Sequence, residues 1–279
     1  MADTAFTKQY RQEYIAGFEQ SQALLRGCCV TEFVRQGNEA IFLVADTNDA
    51  EPVTRGINGM IPARSDNLTQ STATLVEWHD KVRKTKFNAF ASQGDARRIM
   101  QDGSIKVINR KIDQSVLTQL NTATNDTGTA VEASHSLIMK AITILGNNDV
   151  DLEEEDNMFA VISPAMRGFM MQVKEYINGE YIDVKLLNGP VRKVWRAMGI
   201  NWITHSKVPG VATAAEKCFI FHRNAIGHAA DMEGADIAGG YNEEDSYYWA
   251  RTSVFMGSKL LQNSGVVVIN HDGSRYVAS

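Results

Sequence analysis

Residues 218–229 read CFIFHRNAIGHA, and the fold turns on how these twelve are understood. They place His222 and His228 six apart beside Cys218, in a chain with six histidines and three cysteines. They are either a metal or catalytic site or the end of a buried strand. Two imidazoles meet on one helix face at i, i+4, and this pair is not so spaced. Cys218 and His222 do have that spacing, but Cys-Phe-Ile-Phe-His is a strand pattern. Positions four apart on a strand stand ~13 Å apart at about 3.3 Å per residue. One ion cannot take both, so the stretch predicts a strand running into a turn.

Outward from it, residues 247–272, YYWARTSVFMGSKLLQNSGVVVINHD, predict a long strand, a turn at Asn263 to Gly265 and a last strand. On the other side, residues 180–208 alternate and carry Gly189-Pro190 and Gly199, with Pro209 just beyond, a pattern of short strands and turns. Residues 158–172, MFAVISPAMRGFMMQ, predict a buried strand, a Ser-Pro helix start and a helix. SHSLIMKAITILGNN, 134–148, predicts a helix ended by Gly146. Ile105, Ile108, Ile112, Val116 and Leu120 recur at steps of three and four, which predicts a long amphipathic helix. A helical stretch near Asp95 to Met100 precedes it, with a break expected near Asp102-Gly103.

In the first part of the chain, Phe6, Tyr10, Tyr14 and Phe18 fall every four residues, with Leu24 and Leu25 beyond, as one apolar stripe of a helix. VTEFVRQGNEAIFLVA, 30–45, predicts strand, turn, strand. From Asp46 to Ser71 the chain has too few apolar residues for a core, and loops of that length are usually functional or ordered by a partner. TATLVEWHDKVRKTKFNAF, 72–90, alternates as a returning strand. Together the two arms and the polar tip predict a long projecting hairpin. No internal repeat is visible and helices and strands mix without a βαβ rhythm, so the class is α+β.

The 279 residues are 44% hydrophobic and carry a formal charge of −5, values of one large folded unit or two closely joined ones. Charged residues of both signs are spread along the chain, and the absence of a basic stripe argues against reading of DNA sequence. The N-terminal residues have no secretory-signal pattern, and no apolar run approaches the roughly 18 residues of a membrane span. Cys28, Cys29 and Cys218 form no disulfide framework, which points to a reducing cytosol as the place of synthesis.

Several enzyme signatures are missing: the phosphate-binding loop, H-E-x-x-H, C-x-x-C and the G-x-S-x-G elbow. DVDLEEED, 149–156, is an acidic run, but a calcium loop begun at Asp149 needs Gly sixth and Glu twelfth, where the chain has Glu154 and Ala160. It reads as a solvated loop, with a weak cation or subunit contact as the other use. His79-Asp80 imitates part of a nucleophilic triad with no marked serine or cysteine partner. Trp78, Trp195, Trp202 and Trp249 are dispersed and read as buried anchors.

The order of these parts resembles the major capsid proteins of tailed bacteriophages, which share the Hong Kong 97-like, or Johnson, fold. The likeness spans nearly the whole chain: helical arm, polar hairpin, long helix, mixed region with VISPAMRGFM, CFIFHRNAIGHA, and the closing SVFMGSKLLQNSGVVVIN. It implies an N-arm over residues 1–29 and a peripheral domain over 30–130 and 245–265. Within the latter lie an extended loop (E-loop) over 42–86 and a spine helix over 88–123. It further implies an axial domain over 131–244 and 266–279.

By that resemblance the chain is a structural protein and not an enzyme, without cofactor, metal or membrane. It self-assembles through pentamers and hexamers into an icosahedral shell around double-stranded DNA that it contacts only non-specifically. Expected subunit contacts are Phe6, Tyr10, Tyr14 and Phe18 of the arm and Arg55, Ile57, Met60, Ile61 and Arg64 of the hairpin tip. Some relatives weld subunits through a lysine in the E-loop; residues 42–80 contain none, so the expected shell is non-covalent. The initial Met points to a separate scaffolding protein rather than a cleaved leader, beside a portal and with room for a decoration protein. Assembly is expected in the host bacterial cytoplasm and the final location is the virion. The rival readings are an encapsulin-type nanocompartment shell and, remotely, a cytosolic metal-dependent hydrolase using His222, His228 and the acidic run.

Overall fold

The computed structural model of the chain describes residues 23–46, 51–63, 67–91, 96–154, 156–172 and 194–274. Its strands in chain order are β1 (Val30–Val34), β2 (Glu39–Asp46), β3 (Asn67–Thr74), β4 (Val76–Thr85), β5 (Met158–Ile162) and β6 (Val194–Ala197). They continue with β7 (Ile200–Thr204), β8 (Glu216–His222), β9 (Ile226–Asp231), β10 (Asp236–Asn242), β11 (Tyr247–Leu260) and β12 (Val266–His271). The helices are α1 (Lys86–Ala91), α2 (Ala96–Leu120), α3 (His135–Asn147) and α4 (Pro164–Met170).

Strands buried on both faces read as continuous apolar runs, whereas strands buried on one face alternate. The runs VVVI, CFIF and FAVI form three adjacent strands of one sheet, ordered β12-β8-β5-β7-β6. Successive side chains go to opposite sides. Met158, Ala160 and Ile162 pack with Cys218, Ile220, Val267 and Ile269 against Leu137, Ile138, Ala141 and Leu145 of α3. Val161, Phe219, Phe221, Val266 and Val268 pack on the other side against Val116, Leu117 and Leu120 of α2 and Leu25, Cys28 and Cys29. Ser163 starts α4 as expected, its hydroxyl oxygen accepting the Met166 N–H at 2.9 Å with Pro164 at the first helical position.

The second sheet is organised by the long strand β11, which pairs antiparallel with β4, β10 and β9; β9 in turn takes β1 in parallel. One face of β4 and β11 rests on α2, where Ile108 and Ile112 meet Val254 and Met256 beside Trp78. The long helix therefore packs on this sheet with its middle and on the other with its C-terminal end. No break occurs at Asp102-Gly103: α2 runs continuously through it. A glycine inside a helix costs only about 1 kcal/mol against alanine, which the packing on either side of it outweighs.

Two other boundaries differ from the sequence reading. Leu24 and Leu25 do not extend the arm's helical stripe; Leu25 precedes a short 3-10 turn at Arg26–Cys28 and is wholly buried. The expected arm over 1–29 thus ends in the body, while Phe6, Tyr10, Tyr14 and Phe18 lie outside the described residues. Helix α3 runs past Gly146 to Asn147. Asp149 takes the left-handed conformation at φ 55°, its N–H bonding the Gly146 carbonyl and the Val150 N–H the Leu145 carbonyl. This is a Schellman closure with aspartate in glycine's usual place.

The opening stretch crosses between the sheets. β8 ends at His222, whose Nδ1 accepts the Asn224 N–H, and after one short turn β9 starts in the other sheet. The second crossing, from β11 to β12, runs beside the first: the Leu261 and Gln262 N–H groups bond the Ala225 carbonyl at 2.8 and 3.3 Å. The expected axial range 131–244 cuts across this arrangement, since β9 and β10 are hydrogen-bonded into the sheet of β4 and β11.

The projecting hairpin is β2 paired with β3, in register from Glu39 opposite Thr74 to Asp46 opposite Asn67. Strand β3 begins inside the stretch that composition marks as loop, because a ladder standing in solvent needs no apolar face to satisfy its backbone. The return arm is split at Leu75: β3 belongs to the hairpin and β4 to the body.

Candidate assembly interface

The hairpin is rooted on the body at one side only. Ala40, Phe42 and Ala73 bury themselves against Ala229, with the Phe42 ring over Gly227 so closely that a Cβ there would lie 2.8 Å from it. The opposite face leaves Ile41, Leu43 and Leu68 to solvent, Leu43 at 71% exposure. Beyond the ladder the tip closes on itself through Gly59, φ 71°, whose N–H bonds the Gly56 carbonyl at 2.8 Å, and through Gly56 N–H to the Met60 carbonyl at 3.0 Å. Arg55, Ile57, Met60 and Ile61, all expected contact residues, stand exposed on this tip, and Arg64 lies outside the described residues. A two-stranded ribbon is marginal alone, and a run of exposed Ile, Leu and Met marks a surface that another molecule covers.

The body that carries the hairpin is tied internally by buried polar contacts. Asp113 on α2, almost fully buried, accepts the Leu24 and Leu25 N–H groups at 3.1 and 3.0 Å and pairs with His205 Nε2 at 3.2 Å. His205 Nδ1 accepts the Lys207 N–H, so the ring's proton is on Nε2 and points at the carboxylate. Ser115 Oγ, Ser258 Oγ and His228 Nδ1 form a second chain, at 2.9 Å per step, from α2 through β11 to β9. Burial, reinforced by the Arg26 guanidinium, pushes the His228 pKa down to about 4. Glu216 and His271 are buried together at 3.4 Å. Burial pushes the Glu216 carboxyl upward, but the neighbouring His271 and Ser163 side chains and the Ala212 N–H, which Oε2 accepts at 3.0 Å, outweigh it and hold it below its ordinary value.

The residues singled out for chemistry are scattered. His222 and His228 fall in different sheets. Their cysteine neighbour and the Cys28 thiol are buried, which raises both to about 12, and burial raises Cys29 as well. In the acidic loop Asp151 accepts the Glu153 N–H, Glu154 bonds Asn157, and Asp156 pairs with Arg196 at 2.7 Å. No three His, Cys, Asp or Glu side chains stand together to hold an ion among the described residues. Sequence reasoning missed the partner of His79: Nδ1 lies 2.8 Å from Ser253 Oγ, with Glu77 Oε1 3.0 Å from Nε2. Only the register of β4 against β11, which sets His79 opposite Ser253, brings them together. Trp195 and Trp202 are buried and stacked at 5.3 Å, while Trp78 and Trp249 are half-buried beneath the ammonium groups of Lys111 and Lys81. No helix among the described residues is long and apolar enough to cross a membrane.

A family model described as phage capsid protein matches residues 2–273. Among solved structures, the capsid of Ralstonia phage GP4 superposes with a TM-score of 0.73 at 13% identity, covering 99% of this chain and 98% of that one. The capsid of cyanophage P-SCSP1u gives 0.71 at 11% identity over 96% and 93% of the two chains, and cyanophage Pam1 gives 0.72 at 10% over 99% and 98%. No protein of curated function matches the sequence. At such identities the superpositions establish the α+β Hong Kong 97-like fold, and the family model supplies the kinship. The chain belongs to the phage capsid protein family, as a structural major capsid protein that builds the virion's icosahedral shell.

Proposed function

We propose that the chain assembles through hexamers and pentamers into a non-covalent shell around double-stranded DNA, with the hairpin of each subunit laid on a neighbour. The carrying observation is a hairpin that has no core of its own yet exposes Ile41, Leu43, Ile57, Met60, Ile61 and Leu68. Repeated around a closed ring, modest contacts of this kind add up to a durable assembly. In this reading α2, the sheet of β11 and the hairpin form the peripheral part, and the sheet of β8 with α3 and α4 forms the axial part. The arm residues Phe6, Tyr10, Tyr14 and Phe18 are proposed to reach a neighbouring subunit.

The work is structural rather than catalytic. The formal charge of −5 suits a wall that encloses DNA without gripping it. A scaffolding protein and a portal are partners from other genes, a decoration protein can bind outside, and assembly takes place in the host cytoplasm. Replacing Ile57, Met60 and Ile61 together by serine tests the reading by velocity sedimentation. The variant is expected to keep the circular dichroism of the parent and sediment as small species where the parent forms large ones. Unchanged large assemblies would count against the hairpin as the joining element.

A further inference from the structure

Beside the start of α4 lies a cavity of about 330 Å³. Pro164, Ala165 and Gly168 of that helix wall it on one side, and Val211, Ala212 and Gly273 on the other. A cavity of that size takes a small molecule. Its walls are short and mostly apolar, and no cation lines it among the described residues. One ionisable side chain does: Glu216, the first residue of β8.

Glu216 is fully buried, and only one of its oxygens is provided for. Oε2 accepts the Ala212 N–H at 3.0 Å and occupies the space that a Cβ on Gly273 would need. Oε1 makes no hydrogen bond, with His271 Nδ1 across from it at 3.4 Å. A buried carboxylate oxygen left in this state calls for a donor. The backbone beside it is also out of the ordinary. Ala212 takes the left-handed conformation at φ 64°, and a non-glycine residue is held so where the surrounding structure over-determines it, commonly at ligand clamps. Burial pushes the Glu216 carboxyl upward, yet its neighbours hold it below its ordinary value, so it is ionised at neutral pH. An anion lining an apolar cavity selects a ligand with one cationic end and a short apolar body.

We propose that this cavity binds a primary alkylammonium, the ammonium donating to Glu216 Oε1 and the methylenes lying against Pro164, Ala165 and Val211. The ligand is a free small amine and not a lysine of another chain, because the cavity wall carries no aromatic or arginine anchor of the kind that seats a protein. The site is in the sheet of β8, away from the hairpin, and does not depend on how subunits join.

The test is isothermal titration of the purified full chain with n-butylammonium chloride, against sodium chloride at equal ionic strength and against n-butanol as the neutral analogue. Saturable binding of the amine at one per chain is expected, with the alcohol and Glu216→Gln about tenfold weaker or more. Because Glu216→Gln removes a buried charge that the fold uses, Ala165→Phe serves as the second variant. It fills the cavity from a partly exposed position, keeps Glu216, and is expected to abolish binding with an unchanged circular dichroism spectrum. Butanol binding as tightly as the amine, undiminished binding by Ala165→Phe, or no saturable binding by the parent would each overturn the proposal. Binding by single chains that is absent from large assemblies would also overturn it, since a group from a second copy would then hold the cavity.

Discussion

Gly257 of β11 lies directly under the Thr74 carbonyl at the root of the hairpin: a Cβ on Gly257 would stand 2.2 Å from that oxygen. Both partners are backbone, so neither can turn aside. Gly257→Ala is expected to destabilise the chain by roughly 1–3 kcal/mol, as overpacking does, and to change the angle at which the hairpin leaves the body. Denaturant unfolding measures the first and assembly yield the second. Gly103→Ala is the control: nothing lies within 4 Å of its Cβ position in α2, and alanine there should add about 0.5–1 kcal/mol.

Asp113 joins the start of the described chain, the long helix and the end of β7 through three hydrogen bonds. Removing one member of a buried charged network strands the others. Asp113→Ala is expected to cost about 3–5 kcal/mol, and Asp113→Asn less, because its amide oxygen still accepts an N–H. A double cycle with His205→Ala isolates the pair; a coupling near zero would mean that the two act independently.

His228 predicts a pH window. Its folded pKa, near 4, is below the ordinary histidine value of 6.5. Between these values the unfolded chain takes up a proton that the folded chain refuses. The neutral imidazole's contribution is therefore complete above pH 6.5, is lost as pH falls toward 4, and totals on the order of 3 kcal/mol. His228→Gln is expected to flatten the stability–pH curve in that window. A curve with unchanged slope would assign the acid sensitivity elsewhere.

How legible this molecule was varies with how local each feature is. FAVI, CFIF and VVVI announced doubly buried strands because burial on both faces removes polar residues from the run itself. Ser163-Pro164 announced α4 because a helix start is written in adjacent residues. At Asp102-Gly103 the sequence shows the local cost of glycine and not the packing on either side that carries α2 through it. The sheet partners of β9 and β10 and the His79–Ser253 contact are illegible for one reason: each joins strands distant in sequence, and their register is set by the whole fold.

Residues 42–80 contain no lysine, so the hairpin has no ammonium with which to weld a neighbour. Purified particles boiled in denaturant are expected to run as single chains near 30.9 kDa. A ladder that resists reduction would reveal a covalent joint formed by other residues.

The most direct test of the account is to express the chain, alone and with the genes beside it, fractionate by velocity sedimentation and image the product by negative-stain electron microscopy. Closed icosahedral shells, or rings and sheets of capsomers, are the predicted result. A stable monomer or dimer under both conditions would contradict it.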